Sequence, residues 1–175
     1  PASKNPSGKL ILSESEKFLA NVINTNKKTD LALLKIIGLP KTIKPIPMGN
    51  LTDVFPGEQV YAIGHPESYF IWSISDGIVS AIRPNHTWLE NEATVIQNTA
   101  AISGGSSGGP LFNSEGIMIG INTMSYEAGQ SLNFAVAINH VRKLLQNTDI
   151  SNTGTAIESM NEKKLNEKFS ILGTG

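Results

Sequence analysis

Short apolar runs follow one another from Lys9 to Ile138. KLILSE, FLANVIN and LALLKII come first. EQVYAIG, FIWSISDGIVSAI, ATVIQN, GIMIGINTM and LNFAVAI follow. The runs are rich in Ile and Val and are bounded by Gly, Pro and Asn, which favours strands over helices. Ile117, Ile119 and Ile121 alternate with Met118, Gly120 and Asn122, a period of two that assigns the three isoleucines to one strand face. No helical period appears before residue 139, so an alternating strand–helix fold is disfavoured and an all-β barrel or sandwich is expected. INHVRKLLQN, residues 138–147, is the exception. Val141, Leu144 and Leu145 form the stripe of an amphipathic helix, and Asn139 is the expected N-cap. Residues 1–8 read as a loop or frayed start, and 148–158 as a linker. MNEKKLNEKF, 160–169, has apolar positions too sparse for more than a short second helix, and LGTG is a flexible end.

A length of 175 residues is enough for one domain with a real core. The net charge of −1, with Lys and Arg scattered, argues against a nucleic-acid partner held by a basic face. Without Cys there is no disulfide scaffold, no Cys-based zinc site and no cysteine catalysis. No apolar run reaches the roughly 18 residues of a membrane span. No charged-then-apolar leader opens the sequence, so no secretory signal is expected in it.

The densest chemical signal is Gly104-Gly105-Ser106-Ser107-Gly108-Gly109-Pro110. Gly and Ser also make flexible linkers. Here the flanks are ATVIQNTAAI and PLFNSEGIMIGI, both strand-like, so the segment lies inside the core sequence of a domain. The functional reading is a G-x-S-G-G-P loop that exposes a Ser hydroxyl against backbone N–H groups. Glycines allow the tight turn and the close approach of a substrate carbonyl. Acyl transfer needs that arrangement: a nucleophilic oxygen beside two N–H donors for the developing oxyanion. The second signal is Thr29-Asp30-Leu31-Ala32-Leu33-Leu34-Lys35-Ile36. An isolated Asp there is usually a turn residue that opens a strand. Alongside the Ser loop it becomes a candidate for the carboxylate that orients an imidazole.

Taken together, TDLALLKI (29–36), VYAIGHP (60–66), ISDGIVSAI (74–82), IQNTAAISGGSSGGPLFNSEGIMIGINT (96–123) and NFAVAI (133–138) resemble a trypsin-like serine protease of the HtrA (Deg) type. The resemblance implies an all-β, trypsin-like double β-barrel with a C-terminal helix. Residues 1–66 would be the remainder of a first barrel incomplete at its N-terminus. Residues 67–138 would be the second barrel, 139–147 the helix and 148–175 a linker and tail. Ser107 takes the nucleophile position and Asp30 the triad Asp, while Gly105 and Ser107 supply the oxyanion-hole N–H groups. The family order is His, Asp, Ser, and no His precedes Asp30. His65 reads as a turn residue, His86 as a surface-loop residue and His140 as a first-turn helix residue. There is no HExxH, so no metal or cofactor is expected.

Three accounts of the absent His compete. The chain is a fragment whose His-bearing strand lies upstream, an inactive relative that binds peptides, or a domain completed by a second chain. The retained Asp, Ser and glycines favour the first. A first barrel without its opening strands would have open edges and an uncovered core face, so the chain alone is expected to be poorly stable or to associate. The resemblance places Ala101 where tryptic enzymes carry Asp, with Ile102, Phe134, Ala135 and Val136 as pocket residues. That implies polypeptide substrates with small or medium apolar side chains. Discrimination would be loose, about 1–3 kcal/mol per methylene. HtrA enzymes often carry Asn-Pro-Gly-Asn before the Ser. Ser103-Gly104-Gly105-Ser106 stands here, and Gly at 104 is expected to loosen the loop. The residues after 147 are too few for the PDZ domain typical of the family. The resemblance implies a location outside the cytoplasm, in the periplasm, secreted or in an organelle. The rivals are a catalytically inactive peptide-binding module working by β-augmentation, and a plain β-barrel in which GGSSGGP is only a turn.

Overall fold

The computed structural model describes residues 2–4, 10–12, 18–65, 73–88, 91–125 and 132–148. Its elements are β1 (Ala2–Lys4), β2 (Leu10–Leu12), β3 (Ala20–Asn26), β4 (Leu31–Ile36), a 3₁₀ turn at Leu51–Asp53, β5 (Gln59–Gly64), β6 (Ser73–Trp88), β7 (Asn91–Asn98), β8 (Pro110–Asn113), β9 (Met118–Ser125), β10 (Asn133–Ala137) and α1 (Ile138–Gln146). The sequence expectation of short strands closed by one helix is met. The second helix expected at 160–169 lies outside the described residues.

Six strands close into an antiparallel barrel in the order β10-β7-β6-β5-β8-β9. Val60, Ala62, Val79, Ile96, Ala100, Leu111, Ile119, Ala135 and Ala137 form its core, with Val54 from the preceding loop. A first barrel over residues 1–66 would include EQVYAIG (58–64). As β5 it pairs with β6 and β8 and is a full member of the closed barrel. The strand therefore belongs to the closed barrel and not to a sheet before it. The apolar run marked a strand, and only its partners revealed which sheet it joins.

β10 is buried along its whole length because both faces are covered. Ala135 and Ala137 face the barrel core. Phe134 and Val136 face a second cluster with Ala93, Val95, Leu31 and Leu144. That cluster joins the barrel's outer surface to α1 and to β4. The three isoleucines do not share a face as the period of two predicted. The β8–β9 register passes from Leu111↔Gly120 to Phe112↔Met118, leaving Ile119 as an extra residue. This bulge lets Ile119 join the barrel core while Ile121 packs against the outer cluster.

α1 opens two residues earlier than Asn139 would allow as a cap. Its N-cap is Ala137, extended at φ −67 and ψ 147, with no side-chain cap bond. β10 stays paired up to Ala137↔Gly120, and Ile138 is fully buried at once, so burial rather than a polar cap sets the helix start. Arg142 then donates to the carbonyls of Met48 (2.7 Å) and Gly49 (3.1 and 3.2 Å), tying α1 to the segment that enters the barrel.

β3 and β4 form a separate two-stranded sheet. Leu31 is buried and Leu33 packs on the outer cluster, whereas Val22, Leu34 and Ile36 are exposed on the described surface. Among the described residues, this hairpin has one apolar face covered and one open.

Candidate active site

The loop between β7 and β8 carries Ser107, and its entry is fastened to β6. The Thr99 N–H donates to the Ile78 carbonyl at 3.0 Å, and the Ile78 N–H returns to Thr99 Oγ1 at 2.9 Å. Asn133 Nδ2 holds the Ala100 carbonyl at 2.8 Å, and the Ala100 N–H donates to Asn98 Oδ1 at 3.1 Å. Gly77 makes this approach geometrically feasible, since a Cβ there would overlap the Thr99–Ala100 backbone. The exit is fastened to β9. The Gly108 N–H donates to the Asn122 carbonyl and the Asn122 N–H to the Gly109 carbonyl, both at 2.8 Å.

Two turns follow between these anchors. The Ser106 N–H closes on the Ser103 carbonyl at 2.9 Å, and the Gly109 N–H on the Ser106 carbonyl at 3.1 Å. Gly105 and Gly108 occupy the third positions, with φ of +91 and +86. That is the geometry of type II turns, which glycine satisfies at little cost. Ser107 stands at the second position of the second turn, exposed. Ser106 is buried against Gly64, where a Cβ would collide with its side chain. The N–H groups of Gly105 and Ser107 find no acceptor among the described residues.

Asp30 ends the turn of the β3–β4 hairpin. The Thr29 N–H donates to the Asn26 carbonyl at 3.3 Å and the Lys28 N–H to Asn26 Oδ1 at 3.0 Å. Asp30 itself takes φ +53, a left-handed conformation that Asp tolerates better than most residues. It is therefore a turn residue that opens a strand and also a carboxylate at the barrel surface. Thr123 joins it to Ser107. The Thr123 hydroxyl donates to Asp30 Oδ2 at 3.1 Å, and the Ser107 hydroxyl donates to the Thr123 carbonyl at 2.8 Å. The β9–β10 register jumps from Met124↔Phe134 to Asn122↔Ala135, so Thr123 is an unpaired bulge residue. Bulges re-aim side chains beside functional sites, and this one frees both groups of Thr123 for the two candidates.

Sequence reasoning missed Thr123. GINT reads in the sequence as strand and as the end of the HtrA-like segment 96–123, and a bulge is set by pairing partners that no local pattern shows. The pocket candidates are divided by the fold. Ala101 is exposed and Ile102 packs against the barrel core beside Ala135. Phe134 and Val136 lie on the opposite face of β10, in the outer cluster. A shallow cleft behind the loop is lined by Ala62, Ile63, Gly64, Ser73, Ser75, Ala101, Ile102 and Ser106. His140 lies away from Ser107, its Nε2 accepting the Thr94 N–H at 2.8 Å. Burial, helped by Lys143, pushes its pKa below the ordinary 6.5. His65 follows β5 and is exposed; the side chain of His86 lies outside the described residues. Among the described residues no cluster of His, Asp and Glu could hold a metal ion.

The trypsin-like peptidase domain family matches residues 3–121, well over half of the chain. The chain belongs to the trypsin-like peptidase family. Its relatives are of the HtrA (Deg) type. It is 33% identical over 142 residues to "Protease Do-like 1, chloroplastic" of Arabidopsis thaliana, covering 76% of this chain and 31% of that protein. It is 36% identical over 172 residues to "Probable periplasmic serine endoprotease DegP-like" of Pseudomonas putida, covering 91% of this chain and 34% of that protein. The chain thus spans about a third of the length of these relatives. Among solved structures, the HtrA-type protease AlgW with a decapeptide superposes at a TM-score of 0.67 and 28% identity, over 82% of this chain and 42% of that one. A serine endoprotease from Yersinia pestis gives 0.61 at 28% identity, over 82% and 46%. Among the described residues no helix is long and apolar enough to cross a membrane.

Proposed function

We propose that this HtrA-type domain is a serine endopeptidase acting on extended polypeptides through an acyl-enzyme on Ser107. The observation that carries the reading is the bulged Thr123, which binds the Ser107 hydroxyl with its carbonyl and the Asp30 carboxylate with its hydroxyl. An imidazole contributed from outside residues 1–175 takes the Ser107 proton as the hydroxyl oxygen attacks the scissile carbonyl. Asp30 orients that imidazole and stabilises its cation. The Gly105 and Ser107 N–H groups bind the oxyanion. The protonated imidazole then passes its proton to the leaving amine, and water hydrolyses the ester in the second half-reaction. His140 is not a candidate for the base, because its Nε2 is committed to the Thr94 N–H.

Ala101, Ile102 and Ala135 present no charge, which favours Val, Ala or Leu at the primary position. Phe134 and Val136 support β10 from behind. Efficient cleavage after Arg in a peptide library would overturn that specificity. The bound decapeptide of the AlgW structure supports an extended polypeptide as substrate. The periplasmic and chloroplastic names of the relatives support action outside the cytoplasm or in an organelle.

One observation favours a second reading: the Ser107 hydroxyl is spent on a backbone carbonyl. An inactive domain would capture peptides beside the same loop without reacting with them. A fluorophosphonate probe on the native-length protein separates the two. Labelling that Ser107→Ala abolishes supports the peptidase. Peptide binding without labelling overturns it.

A further inference from the structure

Asn122 is 1% exposed and sits one residue before Thr123 in β9. Its main chain holds Gly108 and Gly109, as any residue at this position would. Its side chain does something more particular. The β5–β8 ladder runs Val60↔Asn113, Tyr61↔Phe112, Ala62↔Leu111. The next residue along β8 is Pro110, which has no N–H to continue the ladder. The Ile63 carbonyl therefore reaches the seam without a ladder donor there. It lies directly over Gly109, where a Cβ would collide with it. Asn122 Nδ2 fills the gap, donating to the Pro110 carbonyl at 3.3 Å and more weakly to the Ile63 carbonyl at 3.5 Å. The other end of the amide bears a cost. Asn122 Oδ1 is buried and finds no hydrogen-bond partner among the described residues. An apolar side chain of similar size would avoid that orphaned acceptor. The partnered end is Nδ2, and what it joins is the floor beneath the Ser107 turn.

We infer that Asn122 is a positioning residue. It staples the end of β5 to the start of β8 across the proline, and so holds the Ser106–Gly109 turn at the height at which Ser107 meets its partners. The catalytic consequence rests on the reading of Ser107 as nucleophile. The mechanical part, that the amide holds the turn, stands apart from it. Asn122→Leu removes the donor and the orphan together. Asn122→Asp keeps the shape but, when ionised, sets a negative charge against two carbonyl oxygens. When protonated, its carboxyl regains one donor.

The test uses the native-length protein and two kinds of readout. Amide hydrogen exchange over residues 106–109 is expected to quicken at least about tenfold in Asn122→Leu, at a melting temperature near that of the parent. Fluorophosphonate labelling and kcat for an extended peptide are expected to fall about 10–100-fold with KM within about twofold, because a displaced nucleophile loses attack geometry and not binding. Asn122→Asp is expected to recover part of its labelling, relative to the parent at the same pH, as the pH is lowered. Unchanged exchange in a folded Asn122→Leu overturns the inference. So does a loss of kcat no larger than the loss of folded fraction, or an Asn122→Asp deficit that is the same at every pH. A parent that never labels sinks the nucleophile reading instead, and the exchange result still decides whether Asn122 holds the turn.

Discussion

The closed barrel and the β3–β4 hairpin each contribute one half of the candidate site, and they are built to very different standards. In the barrel every strand has two neighbours, and β10 is buried on both faces. Ser107 rides on a loop fastened at its entry by Thr99 and Ala100 and at its exit by Gly108 and Gly109. The hairpin has two strands, one face packed through Leu31 and Leu33, and Val22, Leu34 and Ile36 left open among the described residues. Asp30 rides on its turn. Among the described residues, the halves meet at the site through the Thr123–Asp30 hydrogen bond, with the Leu31 cluster behind it. The position of Ser107 is thus a property of the closed barrel, while that of Asp30 depends on how well a small sheet docks. Outer packing by α1 is what makes the two commensurate. Asn24 Nδ2 in β3 donates to Thr148 Oγ1 just beyond α1 at 2.7 Å, and Arg142 within α1 reaches the segment entering the barrel.

The largest test of this division is chemical. In the native-length protein, Ser107→Ala should abolish labelling and lower kcat by about 10⁶-fold. Asp30→Asn should lower kcat by about 10⁴-fold. Both should leave the melting temperature near the parent's, since both side chains are exposed. A large stability loss for either would mean that the residue packs rather than reacts.

Stability should divide in the opposite sense. Ile96→Ala empties a fully buried site in the barrel core and should cost about 2–5 kcal/mol in urea unfolding. Leu34→Ala, on a side chain 51% exposed, should cost within about 0.5 kcal/mol. A Leu34 cost as large as that of Ile96 would break the comparison and show that the open face is covered in the native protein.

The junction should behave as neither half does. Thr123→Val keeps the carbonyl that accepts from Ser107 and loses the hydroxyl that donates to Asp30. About tenfold lower kcat is expected, in line with a single hydrogen bond to a charged group. Labelling at the parent rate would place the control of Asp30 elsewhere.

The smallest effect concerns pH. His140 joins α1 to β7 only while neutral, because its Nε2 is an acceptor. Its folded pKa lies below 6.5, so the unfolded chain binds the proton first. The contribution to stability is complete above about pH 6.5 and is lost as the pH falls through the folded value. Urea midpoints should therefore drop from pH 7.5 to pH 5, and His140→Gln should flatten that part of the slope. An unchanged slope in the variant would assign the loss to other groups.

The residues of the chain by themselves determined the strand succession, the helix after NFAVA and the two chemical segments around Asp30 and Ser107. Each of these is written in spacings of a few residues: Ile and Val between turn formers, a helical stripe at Val141, Leu144 and Leu145, glycines flanking a serine. The fold decided what depends on partners far along the chain. It put β5 into the barrel rather than before it. It divided Phe134 and Val136 from Ala135 by covering both faces of β10. It started α1 at Ile138 by burying that side chain, where Asn139 had looked like the cap. It also placed bulges at Ile119 and Thr123, and the second of these joins the two halves of the site. Local periodicity reports which way a side chain points along one strand. The register against neighbouring strands is settled by the ladder and by the space left in the core, and one extra residue opposite Phe134 and Ala135 is enough to aim Thr123 at both Ser107 and Asp30.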